Sequence, residues 1–158
     1  MSSHRDREHV DFVDLARLGY LLILIGALLL LRPDLPGLVE DFFRDFQLQP
    51  AWGGSVTIPV PMSNHPALYG VAFDFCVYML AFEFVGLLFR FILDDPPHKK
   101  AGAASGLVFW GGFAWIIYLL RMQLISWPMF LGWFIVVAGT SIAVHAIMAI
   151  FLHSIRFP

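Results

Sequence analysis

Four runs of apolar residues divide the chain, at about 13–31, 66–93, 101–120 and 128–155. Each is long enough to cross a bilayer as a helix, which takes about 20 residues. Pro66 and Pro128 open their runs at first-turn positions, where a missing amide hydrogen costs nothing. The first run, basic in front and unbroken from Leu18 to Leu31, resembles a signal peptide in outline. Arg32-Pro33-Asp34-Leu35-Pro36 follows instead of a small-residue cleavage site, so it is read as a retained helix.

The breaks between the runs differ in kind. Asp94-Asp95-Pro96-Pro97-His98-Lys99-Lys100 is short and stiff, and Met122–Trp127 is tight enough to make a hairpin of the last two runs. The segment 33–65 is long for a structureless loop. Its first part places Leu38, Val39, Phe42, Phe43 and Phe46 on one helical face and Glu40, Asp41 and Asp45 on the other, the pattern of a helix resting on a membrane surface. Gly53-Gly54 and the stretch Ser55–Pro61 come next, extended by residue type but barred by its prolines from a central strand. The expected fold is therefore an all-α integral membrane protein: a four-transmembrane-helix bundle, one domain over 1–158, with an ordered outer cap at 33–65 containing a short amphipathic helix.

Composition agrees with this reading and narrows the function. Apolar residues make up 59% and charged residues 14%, with sixteen Phe and five Trp, far from the balance of a water-soluble domain. A net charge of -2 leaves no basic excess for nucleic acid. Cys76 is the single cysteine, which excludes an intrachain disulfide and a Cys-based metal cluster. With both termini inside, seven Lys or Arg (Arg5, Arg7, Arg17, Arg90, Lys99, Lys100, Arg156) fall on the inner side and three (Arg32, Arg44, Arg121) on the outer. The positive-inside rule then puts both termini in the cytoplasm of a multi-pass protein of the cell membrane.

Ionisable side chains within a span cost several kcal/mol unless paired or wet. The second run carries three, each between phenylalanines: Asp74, Glu83 and Arg90. Neighbours on a helix lie about 100° to either side, so each charge points at the bundle while its rings guard the flanks. Glu83 and Arg90 share a stripe with Ala72, Cys76, Met79 and Gly86. Asp74 stands about half a turn away and addresses another neighbour, with Arg32 and Arg121 as cations in reach. The fourth run places His145 at the depth of Glu83, on a stripe with Ala138, Ser141 and Ala149; His153 lies at the boundary. A Glu83–His145 contact near the midplane is expected, serving either as a helix clasp or in proton exchange.

Glycines mark close packing: Gly102 and Gly106, then Gly111 and Gly112, in the third run, and Gly132 and Gly139 in the fourth. These seams exceed what an isolated four-helix bundle needs and point to self-association or other membrane subunits. No nucleophile elbow, phosphate loop, dinucleotide fingerprint or paired-His motif appears, so no enzyme chemistry, cofactor or metal is expected. The layout resembles claudin-like and tetraspan proteins in outline only. Trp52 lacks the neighbouring cysteine pair that claudins carry, and no function follows from the outline. The expectation is a non-enzymatic membrane protein that forms a homo-oligomer, a channel or pore with Glu83 lining or gating it. The alternative is an accessory subunit of a larger complex such as a respiratory enzyme.

Overall fold

In a computed structural model the backbone is described for residues 12–51, 54 and 56–155, and side chains for 15–51, 54 and 56–152. Trp52, Gly53, Ser55, the His153 side chain, Arg5, Arg7 and Arg156 therefore lie outside the described residues. The elements run α1 (Phe12–Leu31), α2 (Leu35–Arg44), β1 (Phe46–Ala51), β2 (Val56–Pro61), α3 (Pro66–Ile92), α4 (Pro97–Arg121) and α5 (Trp127–Ile155). The chain is a mostly helical membrane protein. α3, α4 and α5 are each long and apolar enough to cross a bilayer, and the pair α1–α2 makes a fourth candidate. Two compact units are present, the first ending at Pro33 and the second starting at Asp34. The first is built on the apolar helix α1.

The second unit is organised around α4, which packs against both α3 and α5. α4 begins at Pro97, before the apolar run, because Pro97 supplies the first-turn residue and Lys99 and Lys100 extend the helix beyond its apolar part. Its antiparallel alignment with α3 sets Arg121 beside Gly70, Gly111 beside Leu80 and Gly106 beside Glu83. Against α5, Gly112 meets Val137 and Gly102 meets His145. The core gathers where α3 and α4 meet, around Tyr69, Cys76, Ala114, Ile117 and Leu120.

Both α3 and α4 end in a left-handed residue that is not glycine, Asp94 (φ 51°) and Gln123 (φ 58°). The backbone bonds Asp95 N–H to Arg90 O and Leu124 N–H to Leu119 O close the last turns in Schellman fashion. At the α3–α4 turn, Lys100 Nζ donates to Asp94 Oδ1 at 3.0 Å and lies over the Phe91 ring, while Arg90 stands 3.8 Å from Asp95. Those pairs explain how Arg90 and Lys100 come to be buried.

The cap differs from the sequence reading in two respects: α2 ends at Arg44, before Asp45 and Phe46, and a hairpin follows it. The stretch from Phe46 to Pro61 is a two-stranded antiparallel hairpin, pairing Phe46 with Pro61, Leu48 with Pro59 and Pro50 with Thr57. Proline is tolerated because each strand of a two-stranded ribbon is an edge. The ladder extends one pair further, with Met62 N–H bonded to Asp45 O. Phe42, Phe46, His65, Trp127 and Phe130 join the cap to the ends of α3 and α5 by ring contacts.

Candidate functional site

The stripe on α3 is the natural starting point. Cys76, Met79, Glu83 and Arg90 are buried, and Glu83 is 5% exposed. Its carboxyl lies against Gly106 so closely that a Cβ there would stand 2.9 Å from Cδ and 3.0 Å from Oε2. Glycine at 106 is thus the condition for a carboxyl at this place. One turn nearer the start of α4, a Cβ on Gly102 would stand 4.0 Å from His145 Cε1. Residues four apart on a helix share a face, with about 5–6 Å between Cβ positions. Glu83 from α3 and His145 from α5 therefore approach adjoining positions on one face of α4.

Hydroxyls fill the same wedge. Ser141 Oγ donates to Ser105 O at 2.9 Å, a bond from α5 to α4, and Ser105 Oγ donates to Gly102 O at 3.1 Å. A carboxyl, two hydroxyls and an imidazole, contributed by α3, α4 and α5, are assembled at one level. Glu83 is enclosed, whereas His145 is exposed. The wedge can hold or pass a proton. Among the described residues no group of three or more His, Cys, Asp and Glu stands where it could hold a metal ion.

The other residues singled out in the sequence go elsewhere. Arg90 belongs to the α3–α4 turn. Asp74 is exposed, on the side of α3 turned away from the Cys76–Glu83 stripe. Gly111 and Gly112 are seats for Leu80 and Val137, whereas Gly132 and Gly139 have nothing within 4 Å of a built Cβ.

A polar cluster in the cap had no signal in the sequence. Asp45 Oδ2 accepts from Ser63 N–H at 2.6 Å, from Ser63 Oγ at 2.6 Å and from His65 Nε2 at 3.0 Å. The Ser63 hydroxyl and amide, then His65, hold the Asp45 carboxyl down at about 2, against an ordinary 3.8. Ser, His and Asp in contact invite comparison with a hydrolase triad, but the geometry differs. In a triad the carboxylate and the hydroxyl engage opposite ring nitrogens. Here His65 Nε2 faces both, with Ser63 Oγ at 3.4 Å, and the hydroxyl donates its hydrogen bond to the carboxylate. That arrangement ties the hairpin to the start of α3 and does not activate a nucleophile. Beside it a cavity of about 210 Å³ is lined by Ser63, Asn64, Tyr69, Gln123 and Trp127 among others.

Comparison with family models, with curated proteins and with solved structures found no match.

Proposed function

We propose that the chain is a non-enzymatic, four-span protein of the cell membrane, both termini cytoplasmic, that assembles with copies of itself. In that assembly Glu83 gates the movement of a proton or small cation. α1 supplies the fourth span, and α2 rests its apolar face on the outer membrane surface. The observation that carries the reading is the Glu83 carboxyl seated on Gly106, with His145 at the adjoining Gly102. A buried ionisable group at this depth is expensive in a purely structural role. Its enclosure favours a gate, which acts by moving, over a pore lining, which must already be wet.

The second reading, an accessory subunit of a larger complex, is favoured by α5. None of its apolar window is buried, and Gly132 and Gly139 are open to close approach by another helix. Purified protein in liposomes under an imposed pH gradient separates the two. A gate gives wild-type proton or cation flux that Glu83→Gln removes without changing the size of the particle. A silent wild type, with Glu83→Gln altering assembly alone, overturns the gate and leaves the subunit reading.

A further inference from the structure

α3 carries a second ionisable residue whose position the Glu83 site does not explain. Asp74 lies two residues from Cys76, hence about 160° around the helix from the face that meets α4. It is exposed. Eight residues separate it from Pro66 at the helix start, about 12 Å of rise in a helix of 27 residues, or about 40 Å. That depth is inside a hydrocarbon core about 30 Å thick. An acidic residue there normally faces a bundle interior, a water-filled cavity or a partner charge.

The neighbouring turn holds a cation. Arg121, at the end of α4, lays its guanidinium over Gly70, with Cζ 3.6 Å and Nη1 3.7 Å from where a Cβ would stand. Gly70 is four residues before Asp74 and so shares its face. Those are ordinary contact distances, so the guanidinium lies directly on this face of α3. Both Asp74 and Arg121 are exposed, and among the described residues neither has a hydrogen bond or ion pair. One outward patch thus presents an acid and a base one turn apart, each without a counter-ion among the described residues of its own chain.

We propose that this patch on α3 is a contact between two copies of the chain, Arg121 of each copy meeting Asp74 of the other. The occupant follows from charge complementarity, because a surface carrying both signs side by side complements itself under a two-fold axis. An axis along the membrane normal preserves depth, so each guanidinium meets its carboxylate from one turn above, a step its long side chain spans. The contact rests on the self-association proposed above but not on the gating role of Glu83.

The test uses full-length chains with two different tags, mixed in nanodiscs and weighed by native mass spectrometry. Wild type pairs. Asp74→Arg alone and Arg121→Asp alone each set like charges against each other twice and fail to pair, while the mixture of the two swapped chains pairs again. An ion pair within one chain cannot produce that rescue. Asp74→Asn is the milder variant, should an arginine impair insertion, and weakens pairing roughly tenfold by removing two interhelical polar contacts. A monomeric wild type, single swaps that pair like wild type, a mixture that stays unpaired, or Asp74→Asn without effect overturns the contact. Glu83→Gln still pairs, so a wild type that pairs but carries no flux refutes the gate alone.

Discussion

α4 makes two seams from one glycine-rich sequence, and they are built differently. Toward α3 it seats a flexible polar side chain, Glu83 against Gly106, along a stripe that also buries Cys76 and Met79. Toward α5 it seats a stiff branched one, Val137 against Gly112, supported by rings (Phe109 and Phe113 with Phe134, Phe113 with Phe130) and the Ser141–Ser105 bond. Lipid is as apolar as leucine, so within a bilayer neither seam draws on the hydrophobic effect as a soluble core does. Close fit and interhelical hydrogen bonds remain. The α5 seam depends on fit; the α3 seam encloses a group that can change its protonation and its position.

Alanine at the two glycines sharpens this contrast most. At Gly112 the added Cβ would stand 2.9 Å from both Val137 methyls, and a β-branched side chain has no free rotamer to retreat into. Gly112→Ala should cost about 1–3 kcal/mol as overpacking. At Gly106 the clash falls on the end of the Glu83 side chain, which can swing aside, so Gly106→Ala should cost less while displacing the carboxyl. Steric-trap or denaturant unfolding in detergent ranks the two. Equal costs would mean that Glu83 is held as rigidly as Val137 and would remove the contrast.

Ser141→Ala probes the hydrogen-bonded part of the α5 seam. Its loss should be small, about 0.6 kcal/mol, the mean for interhelical hydrogen bonds in a membrane protein. A loss several times larger would make that bond, and not the fit at Gly112, the chief tie of α5.

Acid should set the cap apart from both seams with the mildest effect. The Asp45 carboxyl is held at about 2 in the folded chain against an ordinary 3.8. A lowered acid favours the folded cap fully above the ordinary value, and that contribution disappears as pH falls through about 2. Trp127, packed on Phe42 and Phe46, supplies the signal. Its fluorescence should change between pH about 4 and about 2 in wild type and stay flat in Asp45→Asn. An unchanged wild-type signal would mean that the aromatic contacts hold the cap without the carboxylate.

What could be read from the sequence was local. Long apolar runs mark α3, α4 and α5 because helix formation in a bilayer depends on length and apolarity alone. The seven-residue spacing of Cys76, Glu83 and Arg90 marks a stripe because helical periodicity is intrinsic. The hairpin escaped because its signals conflict: Val56, Thr57 and Ile58 favour a strand, while Pro50, Pro59 and Pro61 argue against one, and only pairing with β1 decides. Asp45 meets Ser63 and His65 across 18 and 20 residues, a separation that no local pattern encodes. Glu83 and Asp74 look alike in sequence, each between two phenylalanines, yet one is enclosed and the other exposed. Flanking rings do not decide direction; angular position relative to the α4 face does.

The prolines of the hairpin bear on aggregation. Phe46–Pro61, Leu48–Pro59 and Pro50–Thr57 are alternate pairs in the ladder, and the Asp45–Met62 pair fixes the hydrogen bonds on the other set. The residues whose amides point away from the partner strand are therefore 57, 59 and 61 on β2, and two of those three are prolines. The outer border of β2 keeps a single outward donor, at Thr57, so an incoming strand finds carbonyl acceptors there but only one amide. Edge-to-edge sheet growth, the usual hazard of an exposed ribbon, is weakened along that border by composition alone.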